Sequence, residues 1–197
     1  MGNHSEPKEA VFGRIQALVH QKLEGLSPDL TYHDIHHTLD VVKQCERIAR
    51  EEGVSDGHEF FLLRVAGLYH DTGFLHTYRN HEEKGCQIFL ADAPSFGLSE
   101  EECAFVVRLI MATKLPQTPT DIYEQIICDA DLDYLGRPDF FRIGDGLRRE
   151  FLQYGVIRSD EEWSALQISF LTKHHYHTRS SRQLREGPKQ DNISRLL

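Results

Sequence analysis

Three short stretches carry side chains able to bind a cation or move a proton: Tyr32-His33-Asp34-Ile35-His36-His37, Tyr69-His70-Asp71-Thr72 and Asp129-Ala130-Asp131-Leu132-Asp133. His70-Asp71 closes an apolar run that begins near His58. A carboxylate at that place is in difficulty, because burial of an unpaired charge is costly and the carboxyl end of a helix adds an unfavourable dipole. A cation resolves both. Two imidazoles and two carboxylates, His37, His70, Asp71 and Asp131, make a mixed nitrogen and oxygen set suited to Mn, Fe, Co, Ni or Zn, with Mg as a further candidate.

The elements that must position these residues are legible as helices. His37, Val41, Cys45 and Ile48 recur at helical spacing, which puts His37 on a buried stripe with His33 one turn before it, if Thr31 is the cap. The segment from His58 to Asp71 is apolar around most of its circumference and should be central. On a third helix, Asp129 and Asp133 share one face, whereas Asp131 continues the line of Ile127 and Leu135, so Asp131 is the expected buried carboxylate. A single inward histidine is ordinarily a hydrogen-bonded core residue. Four ligand-type residues from three helices are hard to explain that way.

Apolar residues recur at helical spacing through nearly the whole chain and strand-like alternation is scarce, so the expected class is all-α. Helices are expected near 7–25, 32–52, 58–71, 80–93, 99–113, 120–135, 138–154 and 160–177, with a short last one after Pro188. Thr31, Ser99 and Ser159 each stand three residues before a carboxylate, as caps do, and Gly53, Gly136 and Gly155 end periodic runs. Length predicts one domain over residues 1–197, and the stretch 179–189 is the expected flexible part. No apolar run is long enough for a membrane span and no secretory signal is visible, so a cytoplasmic location is expected. Cys45, Cys86, Cys103 and Cys128 lie scattered in apolar segments and read as core thiols. A net charge of -9 argues against nucleic acid as a partner.

With these motifs the sequence resembles the HD superfamily of metal-dependent phosphohydrolases. "YHDIHHTLDVV" resembles the family's first histidine helix, "LYHDTG" its name-giving pair and "DADLDYLG" its distal aspartate, a core spanning about residues 32–136. The resemblance implies an HD-domain helical bundle with flanking helices, one divalent metal held by His37, His70, Asp71 and Asp131, and hydrolysis of a small phosphorylated metabolite or nucleotide. The expected reaction is attack of a cation-activated water on phosphorus, with Asp71 orienting the water. Cyclic nucleotide phosphodiesterases share a Tyr-His-x-x-x-His helix in which the first histidine protonates the leaving oxygen, a role that falls here on His33. His81 resembles a histidine that binds a second metal in some members, yet the region "LIMATKLP" supplies no further histidine around Thr113, so a single metal is expected. His81, Lys84, Lys114 and His175 are then candidates to contact substrate or support the ligands. A di-iron oxygenase and a non-catalytic metal or nucleotide sensor are the rival readings.

Overall fold

The computed structural model describes residues 7–197, which form nine α-helices and three short 3-10 turns, with no strand among the described residues. The helices are α1 (Lys8–Leu23), α2 (Ile35–Glu51), α3 (His58–Tyr69), α4 (His81–Asp92), α5 (Glu100–Ala112), α6 (Ile122–Asp131), α7 (Phe140–Gln153), α8 (Asp160–Lys173) and α9 (Arg179–Leu196). The all-α class is therefore as expected. None of these helices is long and apolar enough to cross a membrane.

Helix α3 runs through the middle. Every residue from Phe61 to Tyr69 is buried, and Arg64 keeps its charge there by pairing with Glu9 and Glu46 and lying 3.7 Å from the Phe12 ring centroid. The larger core gathers buried side chains of α1 to α6 around α3, including Cys45 and Cys86. A second, smaller core joins Tyr32, Leu132, Tyr134 and Leu135 to Phe140, Leu171 and Tyr176. Asp131 sits at the seam between the two.

Several boundaries differ from the sequence reading, each for a local reason. Ser99 and Glu102 form the capping box they predict, and Ser159 caps α8. The second helix, however, begins at Ile35 with Asp34 as its cap, the carboxylate accepting from His37 N at 3.0 Å. Thr31 instead donates to the Gly146 carbonyl at 2.7 Å. His33 thus lies in the bend before the helix, not one turn inside it. The third aspartate helix stops at Asp131 and passes into a 3-10 turn, Asp133–Gly136.

The carboxyl-terminal quarter departs most. Helix α8 ends at Lys173 and His174 is extended, so His174 to His177 are not helical. The stretch expected to be flexible belongs to α9, which is continuous through Pro188 and carries the fully buried Lys189. Anchoring overrides the proline: Lys189 donates to the His174 carbonyl at 2.5 Å and pairs with Glu186, and Asn192 donates to the Leu135 carbonyl at 3.0 Å. Gly136 makes the approach possible, since a Cβ there would stand 2.3 Å from the Arg185 carbonyl oxygen.

His174 is held neutral in this joint. Burial and the neighbouring Lys189 lower its pKa from the ordinary 6.5 to about 3. Because the folded value lies below the unfolded one, the stability from a neutral His174 is complete above pH 6.5 and is lost between pH 6.5 and 3, at up to about 1.4 kcal/mol per pH unit. His174→Gln should therefore flatten the fall in unfolding free energy across that window, measured by urea titrations at several pH values. An unchanged slope would contradict this assignment.

Candidate metal centre

His70 caps the carboxyl end of α3 and Asp71 follows it immediately, so both side chains stand where that helix ends. His37 comes from the first turn of α2 and Asp131 from the last residue of α6. Their donor atoms converge. His37 Nε2 lies 3.3 Å from His70 Nε2, 3.3 Å from Asp71 Oδ2 and 3.2 Å from Asp131 Oδ1. His70 Nε2 lies 3.1 Å from Asp71 Oδ2 and 3.7 Å from Asp131 Oδ1.

These separations fit a shared cation. Donors about 2.1 Å from one ion stand about 3.0 Å apart at right angles and about 3.4 Å apart at the tetrahedral angle. Asp71 Oδ2 is moreover a buried oxygen without a hydrogen bond, an orphan that the donor set would satisfy through an ion. His70 Nδ1 donates to the Gly67 carbonyl at 2.9 Å, which fixes the tautomer and leaves the Nε2 lone pair facing the cluster. The mixed imidazole and carboxylate chemistry suits a divalent transition metal. Without one, protons balance the charge. Burial opposes a charge on His37, but Asp131 and Asp71 override it and push its pKa up to about 10. Asp71 is buried too, and the imidazoles of His70, His37 and His81 nonetheless hold it well below the usual carboxylate range.

Asp131 joins the cluster for a different reason than burial. Its side chain is 17% exposed, whereas Asp129 and Asp133 are fully enclosed. Asp129 accepts from the backbone of His177 and Thr178 at 2.8 Å each and from the Thr178 hydroxyl, tying the segment before α9 to α6. Asp133 accepts from Arg47 at 2.8 Å and from Arg185 at 2.9 and 3.0 Å. The outer two aspartates have their oxygens taken up by protein donors, uncharged ones at Asp129 and two arginines at Asp133. The middle one faces the imidazoles of His37 and His70 instead.

His33 reaches the cluster from the bend before α2, its ring centroid 5.9 Å from that of His37. It is held by a residue that the sequence reading missed. Glu150, fully buried on α7, bonds His33 Nδ1 through Oε1, takes the Tyr78 hydroxyl on that same oxygen at 2.9 Å, and takes the backbone N–H groups of Tyr32 and His33 on Oε2 at 3.0 and 3.1 Å. Burial raises its pKa, but His33 and the two backbone donors bring it below the ordinary value. The available signal was a carboxylate three residues after Leu147, on the apolar stripe of α7.

His81 opens α4, its Nε2 3.4 Å from Asp71 Oδ1 and 3.5 Å from Glu82 Oε1. The 3-10 turn Thr72–Leu75 places it: a Cβ on Gly73 would stand 1.9 Å from the His81 carbonyl oxygen, so only glycine lets the turn press against α4. Phe74 from that turn stacks on both His81 and His33, with centroids 4.0 and 4.2 Å away. Lys84 donates to Gln87 at 3.2 Å, Lys114 pairs with Glu83, and His175 is exposed beside α9. None of these three lines a cavity that opens on the cluster. Thr113 donates to the Ile110 carbonyl at 2.8 Å.

The HD domain family matches residues 34–133, just over half of the chain, and that span holds His37, His70, Asp71 and Asp131. The chain belongs to the HD domain family. No curated protein matches it. Among solved structures, a predicted HD superfamily hydrolase from an uncultured Thermotogales bacterium is similar, with a TM-score of 0.63 and 22% identity over 93% of this chain and 88% of that one. At that identity the likeness shows the shared fold. It extends beyond the matched HD segment to helices on either side.

Proposed function

We propose that this HD domain protein is a metal-dependent hydrolase of phosphoesters, acting on a small phosphorylated metabolite or nucleotide. The observation that carries the reading is the convergence of His37, His70 and Asp131, with Asp71 Oδ2 3.3 and 3.1 Å from the two imidazoles, beside a further histidine, His33. When bound, a divalent cation supplies Lewis acidity, lowering the pKa of a water and screening the charge on phosphoryl oxygens. His33 is placed to protonate the leaving oxygen as the ester bond breaks. Glu150 fixes its ring through the hydrogen bond at Nδ1. Asp71, kept ionised by the surrounding imidazoles, accepts hydrogen bonds from the attacking water and orients it, with His81 steadying its other oxygen.

The His33–Glu150 pair favours catalysis over a sensor, since metal retention alone has no use for a buried, carboxylate-oriented imidazole outside the ligand set. The test is a panel of phosphomonoesters, nucleotides, cyclic nucleotides and aryl phosphates assayed with Mn, Co, Ni, Zn or Mg. Phosphate release that depends on added metal and stops with a chelator is expected. Absence of metal-dependent turnover across the panel would overturn the reading.

A further inference from the structure

Two cavities open on the cluster, and their chemistry differs. One, of about 380 Å3, is lined by His36, His37, Asp40 and three arginines that all have aspartate partners. The other, of about 230 Å3, has His33, Asp71, His81 and Asp131 at one end and continues between α7 and α8. Its far walls are Leu135, Leu147, Phe151, Trp163, Phe170 and Leu171, and no lysine or arginine lines it. A charged group driven into that end would lose its water and find no counter-ion.

Among the lining residues of α7 and α8, one, Gln167, carries an amide. Gln167 is only 8% exposed, yet its amide has no hydrogen-bond partner among the described residues. An unpaired amide that lines a cavity in an otherwise apolar wall is placed to bond a polar group of whatever enters there. Gly144 on α7 makes the room: a Cβ there would stand 3.0 Å from Gln167 Nε2.

We propose that this cavity receives the organic part of the substrate, an uncharged apolar group carrying one hydrogen-bonding function that pairs with Gln167. The volume exceeds the ~150 Å3 that encloses benzene, which indicates a group somewhat larger than one six-membered ring. The assignment rests on the hydrolase reading for the position of the phosphoester, at the cluster end. It excludes substrates whose body bears a second phosphate or a carboxylate, because the walls between α7 and α8 offer these no cation.

Trp163 is the only tryptophan in the chain and lines the cavity, so its emission reports occupancy without turnover. The probes are 4-ethylbenzamide, ethylbenzene and 4-ethylbenzoate, which share a body and differ in the polar group. 4-Ethylbenzamide should change the emission saturably, with 4-ethylbenzoate at least about 10-fold weaker. Gln167→Leu should weaken the amide about 5- to 10-fold while ethylbenzene binds as well or better. The amide and benzoate comparison needs no variant, so it stands if Gln167→Leu fails to fold. No saturable response to the amide, equal binding of the benzoate, or equal effects of Gln167→Leu on amide and ethylbenzene would each overturn the proposal. These titrations use no phosphate, so the cavity assignment and the hydrolase reading fail separately.

Discussion

His70→Ala is expected to leave the protein without stoichiometric divalent metal and to lower phosphoester turnover by at least about 1000-fold, because several kcal/mol of charge stabilisation depend on the ion. The fold should survive. His70 is fully enclosed, but most of α3's burial comes from Phe61 to Tyr69, which the substitution leaves in place. Asp131→Asn makes the same test with less disturbance, since Asp131 is the most exposed of the four donors. Metal content after dialysis reads both variants. Retention of the wild-type complement in both would show that the donors lie elsewhere.

The second large effect belongs to His33. His33→Ala should keep its metal and lose about 100-fold or more in turnover, the scale of general acid catalysis. Glu150→Gln should produce a smaller loss of the same kind, because it keeps the packing of Glu150 while weakening its hold on the His33 ring. Both deficits should shrink for an activated aryl phosphate whose leaving group needs no proton. Loss of metal from His33→Ala would make His33 a ligand, and normal turnover would remove it from the chemistry.

How much of this was visible in the sequence can be judged residue by residue. His37, His70 and Asp71 follow from helical periodicity and from the cost of ending an apolar helix on a carboxylate, both local physics. Asp131 does face His37 and His70, but the sequence argument for it holds only in part. The helix-face argument supposed a continuous helix to Leu135 and a single buried carboxylate, whereas all three aspartates are substantially enclosed. What separates them is their partners, and those come from Arg47, Arg185 and the segment before α9, distant in sequence.

The separation of His33 from His37 was anticipated as about one helical turn, and the rings do stand 5.9 Å apart. The cause is different. Asp34 outcompetes Thr31 for the cap, and Glu150, 117 residues away, supplies the grip that a helical turn would have given. Helix α9 was illegible for a similar reason. Its polarity and Pro188 read as a loose tail, because its stability comes from Arg185 and Asn192 docking onto the turn after Asp131 and from Lys189 on the His174 carbonyl.

The claim on which the rest depends is that two histidines and two aspartates share one cation. X-ray absorption at the cobalt edge, on protein loaded with one equivalent of Co2+, tests it most directly. Two imidazoles and a remainder of oxygen donors around each cobalt is the result this account predicts. A cobalt shell without histidine, or failure to bind one equivalent, would contradict it.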